Sequence, residues 1–269
     1  IHSSSLYNID FEQRTLEVKQ LLLNTSWNEL LKKQEDYYDD FCRNSFIDTK
    51  NEETSKLLNY NMYQLNNSGG ECSVHNISAK GLSGEGYEGH YFWDTEIYMI
   101  PFFLLTNPNK AKNLLMYRYK TLDFAKEEAR KLGYSKGAKI PWRTINGEET
   151  SPYYPAGSAQ FHINSDVAYA VIKYFEATND LDFLINYGFE LLIETARFLE
   201  EATNYHKGYY HMNSVTGPDE YTTVVDDNFY TNKLLKYHFK ETVHLYKLYK
   251  NELGNIIKKL AVTDDEIEE

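Results

Sequence analysis

Apolar residues recur at helical spacing along most of the chain, and the polar stretches between them come in two lengths. Residues 12–24 carry Leu16, Leu21, Leu22 and Leu23, which predicts a first helix. Ser26 then stands where a side-chain acceptor caps a helix running through Trp27, Leu30, Leu31 and Tyr38. A third helix is expected over 52–65, with Leu57, Leu58, Met62 and Leu65 in register. From Thr95 the pattern becomes regular. An apolar helix over 95–105 meets a Thr-Asn-Pro-Asn turn and a long helix ending near Leu132. A loop over 133–161 follows, then a helix over 162–178 with Ile163, Val167, Ala170, Val171 and Tyr174 on one face. Asn179-Asp180 turns the chain into a helix ending near Thr203. A loop over 204–227 leads to a last long helix ending near Tyr249.

Long loops therefore alternate with short turns, and the unit repeats: Thr95 to His162 is 67 residues and His162 to Asn228 is 66. This is the pattern of stacked helical hairpins, an all-α fold in which every long loop lies at one end. We assign 1–65 to helical linker and first helices, and 66–269 to the repeating domain.

Composition narrows the partners. A net charge of -12 without a basic run argues against nucleic acid and anionic membrane surfaces. No stretch reads as a signal peptide or a membrane span. The two cysteines, Cys42 and Cys72, make no disulfide framework and have no metal spacing, which fits a reducing, cytoplasmic setting. Aromatic residues reach 15%, with 24 Tyr; such side chains suit a site that packs against sugar faces, although most Tyr on helices are simply half-buried.

The candidate chemistry sits in the three long loops. The first, 66–94, is glycine-rich and ends in Gly-Glu-Gly-Tyr-Glu-Gly-His-Tyr-Phe-Trp-Asp-Thr-Glu. It lacks the Gly-Lys-Ser/Thr of a phosphate loop. Instead it presents Trp93 and Asp94 at a helix start: a stacking face beside an acceptor for vicinal hydroxyls, or else a core Trp beside an N-cap. The second offers Trp142 and Arg143, a further stacking face and a fork of donors, or else a buried Trp beside a surface Arg; it closes on His162, which has no second metal ligand near it. The third reads Thr-Gly-Pro-Asp-Glu-Tyr and places Glu220 in a tight Gly-Pro turn. Adjacent Asp219 and flanking aromatics would favour the protonated carboxyl of a general acid. On its own this stretch also reads as a solvated turn before a helix.

Taken together, these segments resemble glycoside hydrolase family 65, the disaccharide phosphorylases acting on α-glucosides. The resemblance rests on Gly-Pro-Asp-Glu-Tyr followed by Asp-Asn-x-Tyr-Thr-Asn, on the Trp-Asp-Thr-Glu segment, and on the Pro-Trp loop. It implies an (α/α)₆ barrel, of which the chain would hold the first part. It also implies Glu220 as the catalytic acid, and Trp93, Asp94, Trp142, Arg143 and His162 as substrate-binding residues. No metal or cofactor is implied, with inorganic phosphate as co-substrate, a disaccharide as substrate and a homodimeric full-length enzyme. Trp-Arg-Thr-Ile-Asn-Gly and Pro-Ala-Gly-x-Ala-Gln-x-His-Ile-Asn look more like trehalose than maltose or kojibiose phosphorylases. The reaction implied is inverting phosphorolysis to β-glucose 1-phosphate, a glycosyl transfer. An inverting hydrolase of the same family and a non-catalytic helical carbohydrate-binding domain are the alternatives.

Ile1 in place of Met, and a Thr263 cap opening a helix barely one turn before Glu269, read as marks of a longer chain. On the resemblance, an N-terminal β-sandwich, the rest of the barrel and a downstream phosphate-binding loop are expected outside it, leaving this piece inactive alone. The His2-Ser3-Ser4-Ser5 run stands upstream of Glu220, on the wrong side for that loop, and is taken as chance.

Overall fold

The structure, a computed structural model, describes residues 11–82, 84–151 and 153–268; the His2–Ser5 run lies outside them. The chain forms two compact units, one ending at Asn67 and one opening at Ser68.

The first unit holds α1 (Phe11–Leu23), α2 (Trp27–Ser45) and α3 (Glu52–Asn67). Ser26 caps α2 as its position predicts. Its hydroxyl accepts from Glu29 N while the Glu29 carboxylate accepts from Ser26 N, so two otherwise unpaired donors are satisfied reciprocally. α2 and α3 are tied by Tyr38 Oη donating to Asn67 and Asn66 donating to Tyr37 Oη.

The second unit is the repeating one. A five-residue stretch of wider π-type winding, Thr95–Met99, runs into α4 (Ile100–Thr106). Then come α5 (Pro108–Lys120), α6 (Leu122–Lys131), a short α7 (Pro155–Ser158) and α8 (His162–Thr178). α9 (Leu181–Phe183) and a second π-type stretch, Leu184–Gly188, lead into α10 (Phe189–Ala202). The unit ends with α11 (Phe229–Leu248), α12 (Gly254–Leu260) and α13 (Asp264–Glu268). The expected long helix after Pro108 is divided at Thr121, whose hydroxyl turns back to the carbonyls of Tyr117 and Arg118.

A short turn carries the chain from α8 to α9. Asn179 takes the left-handed conformation and Asp180 caps α9 by accepting from Phe183 N. The loop expected over 204–227 holds structure of its own. β1 (Thr203–His206) and β2 (Tyr209–Met212) pair antiparallel around Lys207 and Gly208, both at positive φ.

α8 is the centre of the unit. Nearly every residue from His162 to Phe175 is buried, and the helix packs on α5, α10 and α11. A helix apolar on most sides has no solvent face to offer, so it lies inside. The helices that follow long loops, namely the stretch from Thr95, α8 and α11, touch one another in that order. Their N-terminal ends therefore share one side of the unit, and the three long loops meet there.

Candidate active site

Backbone bonds fasten the loops together. Tyr91 N donates to Thr144 O at 2.8 Å and Thr144 N to Tyr91 O at 3.2 Å, joining the first loop to the second. Thr216 N donates to Ala159 O at 3.1 Å, joining the third to the second.

On the first loop, Trp93 is 9% exposed and stands among aromatic edges. His162 meets it T-shaped at 4.9 Å between centroids, with Tyr98 at 5.6 Å and Tyr230 at 6.4 Å. Asp94 beside it is exposed and stands at the N-cap position of the following turn, but its side chain makes no capping bond. The following π-type turn carries Glu96 inward, where it meets Arg118. Wide π turns recur at functional sites because they shift a side chain out of α-helical register.

The second loop is organised by Glu149. Its carboxylate accepts from Trp142 N at 2.7 Å, Arg143 N at 3.2 Å, Ser151 Oγ at 2.7 Å and Lys139 Nζ at 3.0 Å. Burial pushes this carboxyl up, but the Lys139 charge and the donors around it outweigh that and hold it below the usual range. Trp142, 8% exposed, packs on Phe92 and Tyr154 and lies over Gly157, where a Cβ would come within 2.4 Å of a ring carbon. Arg143 is committed to the protein: it pairs with Glu88, donates to Thr150 O at 3.3 Å and lies over Tyr153. Its fork thus ties the second loop to the first.

Glu220 of the third loop sits in a turn closed by Thr222 N to Asp219 O and by Gly217 N to Thr222 O. Its Oε1 accepts from Gln160 Nε2 at 3.3 Å. Glu220 is exposed and Tyr221 wholly so, so the aromatic shielding expected from the sequence is not supplied by its flanking Tyr.

Behind Glu220 lies a buried polar line that the sequence reading did not pick out. Gln160 Oε1 faces His162 Nε2 at 3.2 Å, and His162 Nδ1 lies 2.7 Å from Asp166 Oδ2. Tyr230 Oη donates to Asp166 Oδ1 at 2.8 Å. Burial pushes the Asp166 carboxyl up, with His162 opposing, and pushes the Tyr230 phenol up as well. His162 is fully buried against Trp93, so its own ring does not reach the protein surface. Sequence offers a signal for one link of this line, since His162 and Asp166 are one turn apart on α8 and buried polar groups need partners. No group of three His, Cys, Asp or Glu side chains able to hold a metal is found among the described residues.

Residues 59–269 match the profile described as the glycosyl hydrolase family 65 central catalytic domain. The chain belongs to glycosyl hydrolase family 65. Among family relatives, it is 46% identical to an alpha,alpha-trehalose phosphorylase of Geobacillus stearothermophilus, over 100% of this chain and 36% of that protein. It is 43% identical to a kojibiose phosphorylase of Halothermothrix orenii, over 72% of this chain and 27% of that one. The fold matches a solved structure, a putative kojibiose phosphorylase from human microbiome, with a TM-score of 0.88 at 32% identity. That match covers 96% of this chain and 39% of the other. The chain spans about a third of the length of the curated relatives it matches. Its hairpins are part of the family's (α/α)₆ barrel-type fold. No helix among the described residues is long and apolar enough to cross a membrane.

Proposed function

We propose that this chain carries the acid side of an inverting phosphorolysis of an α-glucosyl disaccharide, a glycosyl transfer to inorganic phosphate. Glu220 delivers its proton to the glycosidic oxygen as the bond from that oxygen to the anomeric carbon breaks. A phosphate oxygen attacks the same carbon from the opposite face, giving β-glucose 1-phosphate and a free sugar. Because phosphate takes the place of an activated water, one essential carboxyl suffices. Asp94 and the open edge of Trp93 hold the glucosyl unit, Trp142 walls it, and Arg143 and His162 support that wall from within.

The observation that carries this reading is the bond from Gln160 to Glu220, which joins the acid to the same buried line on which Trp93 rests. The phosphorylase names of the relatives support the choice of phosphate over water. The test is Glu220→Gln in the full-length protein, assayed on trehalose, kojibiose, maltose and nigerose with and without phosphate. Turnover should fall about 10²–10⁴-fold, on the order of 3–5 kcal/mol of barrier. Near-normal phosphorolysis in the variant, or a parent enzyme that releases sugar equally well without phosphate, would sink it.

A further inference from the structure

We infer that Gln160 is a positioning residue for Glu220: its buried amide binds Oε1 and leaves Oε2 as the oxygen that carries and delivers the proton. This rests on the reading of Glu220 as the acid. Gln160 is 0% exposed, whereas Glu220 is exposed, so a fixed group grips a solvent-facing one. The amide presents its NH₂ to Glu220. Its NH₂ donates to Glu220 Oε1 at 3.3 Å, and its oxygen then faces His162 Nε2 at 3.2 Å, which must carry the hydrogen. Against the ionised carboxylate, the reverse orientation would set two acceptors face to face at Glu220.

His162 is held in turn. Its other nitrogen lies 2.7 Å from Asp166, and Tyr230 of α11 fixes the second oxygen of Asp166. The backbone agrees: Gln160 N donates to Gly157 O, and Thr216 N to Ala159 O, so the acid's loop is anchored next to the amide. An N–H bond to Oε1 makes that oxygen the carbonyl-like acceptor of the protonated carboxyl. The acidic hydrogen therefore sits on Oε2. A swinging carboxyl would present either oxygen in many directions, and misplacement by an ångström costs orders of magnitude in rate.

The test uses the full-length protein and two donors that differ in their need for an acid. A disaccharide must have its leaving oxygen protonated, whereas α-glucosyl fluoride releases fluoride without that help. Gln160→Met, similar in shape but without the donor, should lower kcat for phosphorolysis of the disaccharide on the order of 10- to 100-fold, with little change in KM. It should leave α-glucosyl fluoride turnover near the parent value. Glu220→Gln should show the same split with a larger loss. If Gln160→Met folds poorly, Gln160→Asn keeps an amide one methylene too short to span both partners and should give the same split. Equal loss on both donors would mean a purely structural role and would overturn the inference. Unchanged disaccharide turnover beside a crippled Glu220→Gln would overturn it too, while leaving the acid reading intact. Full activity in Glu220→Gln would remove the acid reading and this inference together.

Discussion

Glu96 and Arg118 meet in a two-pronged ion pair closed off from solvent, at 2.7 and 3.0 Å, with side chains 0% and 1% exposed. Arg118 also donates to the carbonyl of Phe92, the residue before Trp93. The pair thus fastens the π-type turn beside Trp93 to α5. Burial pushes the Glu96 carboxyl up while the guanidinium opposes it, so removing either partner strands a charge. Arg118→Met should cost about 3–5 kcal/mol of stability, read from urea midpoints. The double variant Arg118→Met, Glu96→Leu should recover much of that, because no charge is then left buried without its counterpart. A cost below about 1 kcal/mol for the single variant would contradict this account.

Stability should fall as the solution is acidified through a window set by His238. This residue is fully buried, its Nε2 donating to Leu192 O at 3.0 Å. Burial pushes its imidazole down to about 4, with the Leu192 carbonyl opposing. Between about 4 and the usual 6.5 the unfolded chain binds the proton and the folded one does not. The contribution is complete above 6.5 and is lost as pH falls towards 4, on the order of 3 kcal/mol in all. Asp166 and Glu96, pushed up by burial, act in the opposite sense. The comparison of parent with His238→Gln over pH 4–6.5 therefore isolates the term, and the variant should show the flatter profile.

Two glycines should respond differently to alanine. At Gly137, φ is +72° and a Cβ would stand 2.2 Å from Phe198 N, so both conformation and space forbid it. Gly137→Ala should destabilise by more than the roughly 1–3 kcal/mol of ordinary overpacking, visible as a large drop in Tm. At Gly157 the backbone is ordinary and the obstacle is the Trp142 ring. Gly157→Ala should fold but displace Trp142. We expect about tenfold or greater loss in kcat/KM with a shift in tryptophan emission.

Much of the fold was legible because its signals are local. The Ser26 cap, the Asn179-Asp180 turn and the apolar faces of 95–105 and 162–178 each rest on neighbours in sequence. The meeting of the loops was legible too, since alternating connection lengths leave one arrangement of hairpins. The β-hairpin over 203–212 was read as loop although Lys207-Gly208 between tyrosines is a turn signal. The π-type turns had no signal, because their winding answers to tertiary contacts such as Glu96 with Arg118. At the site, Trp93, Asp94 and Glu220 stood out by residue type and motif. Gln160, Asp166 and Tyr230 did not, since their roles depend on contacts across 60 and 64 residues. Arg143 was read as a donor fork, and Glu88, far off in sequence, occupies it.

The bridges Tyr91–Thr144 and Ala159–Thr216 carry a consequence for how the loops move. Three segments that could each fray alone are stitched through the middle one, so opening any of them strains the next. Their amides should exchange with deuterium as a single cooperative group, with the Tyr91, Thr144 and Thr216 N–H sites sharing one opening rate. Ordering of the loops is then part of folding, so the surface they form is already fixed before any ligand arrives.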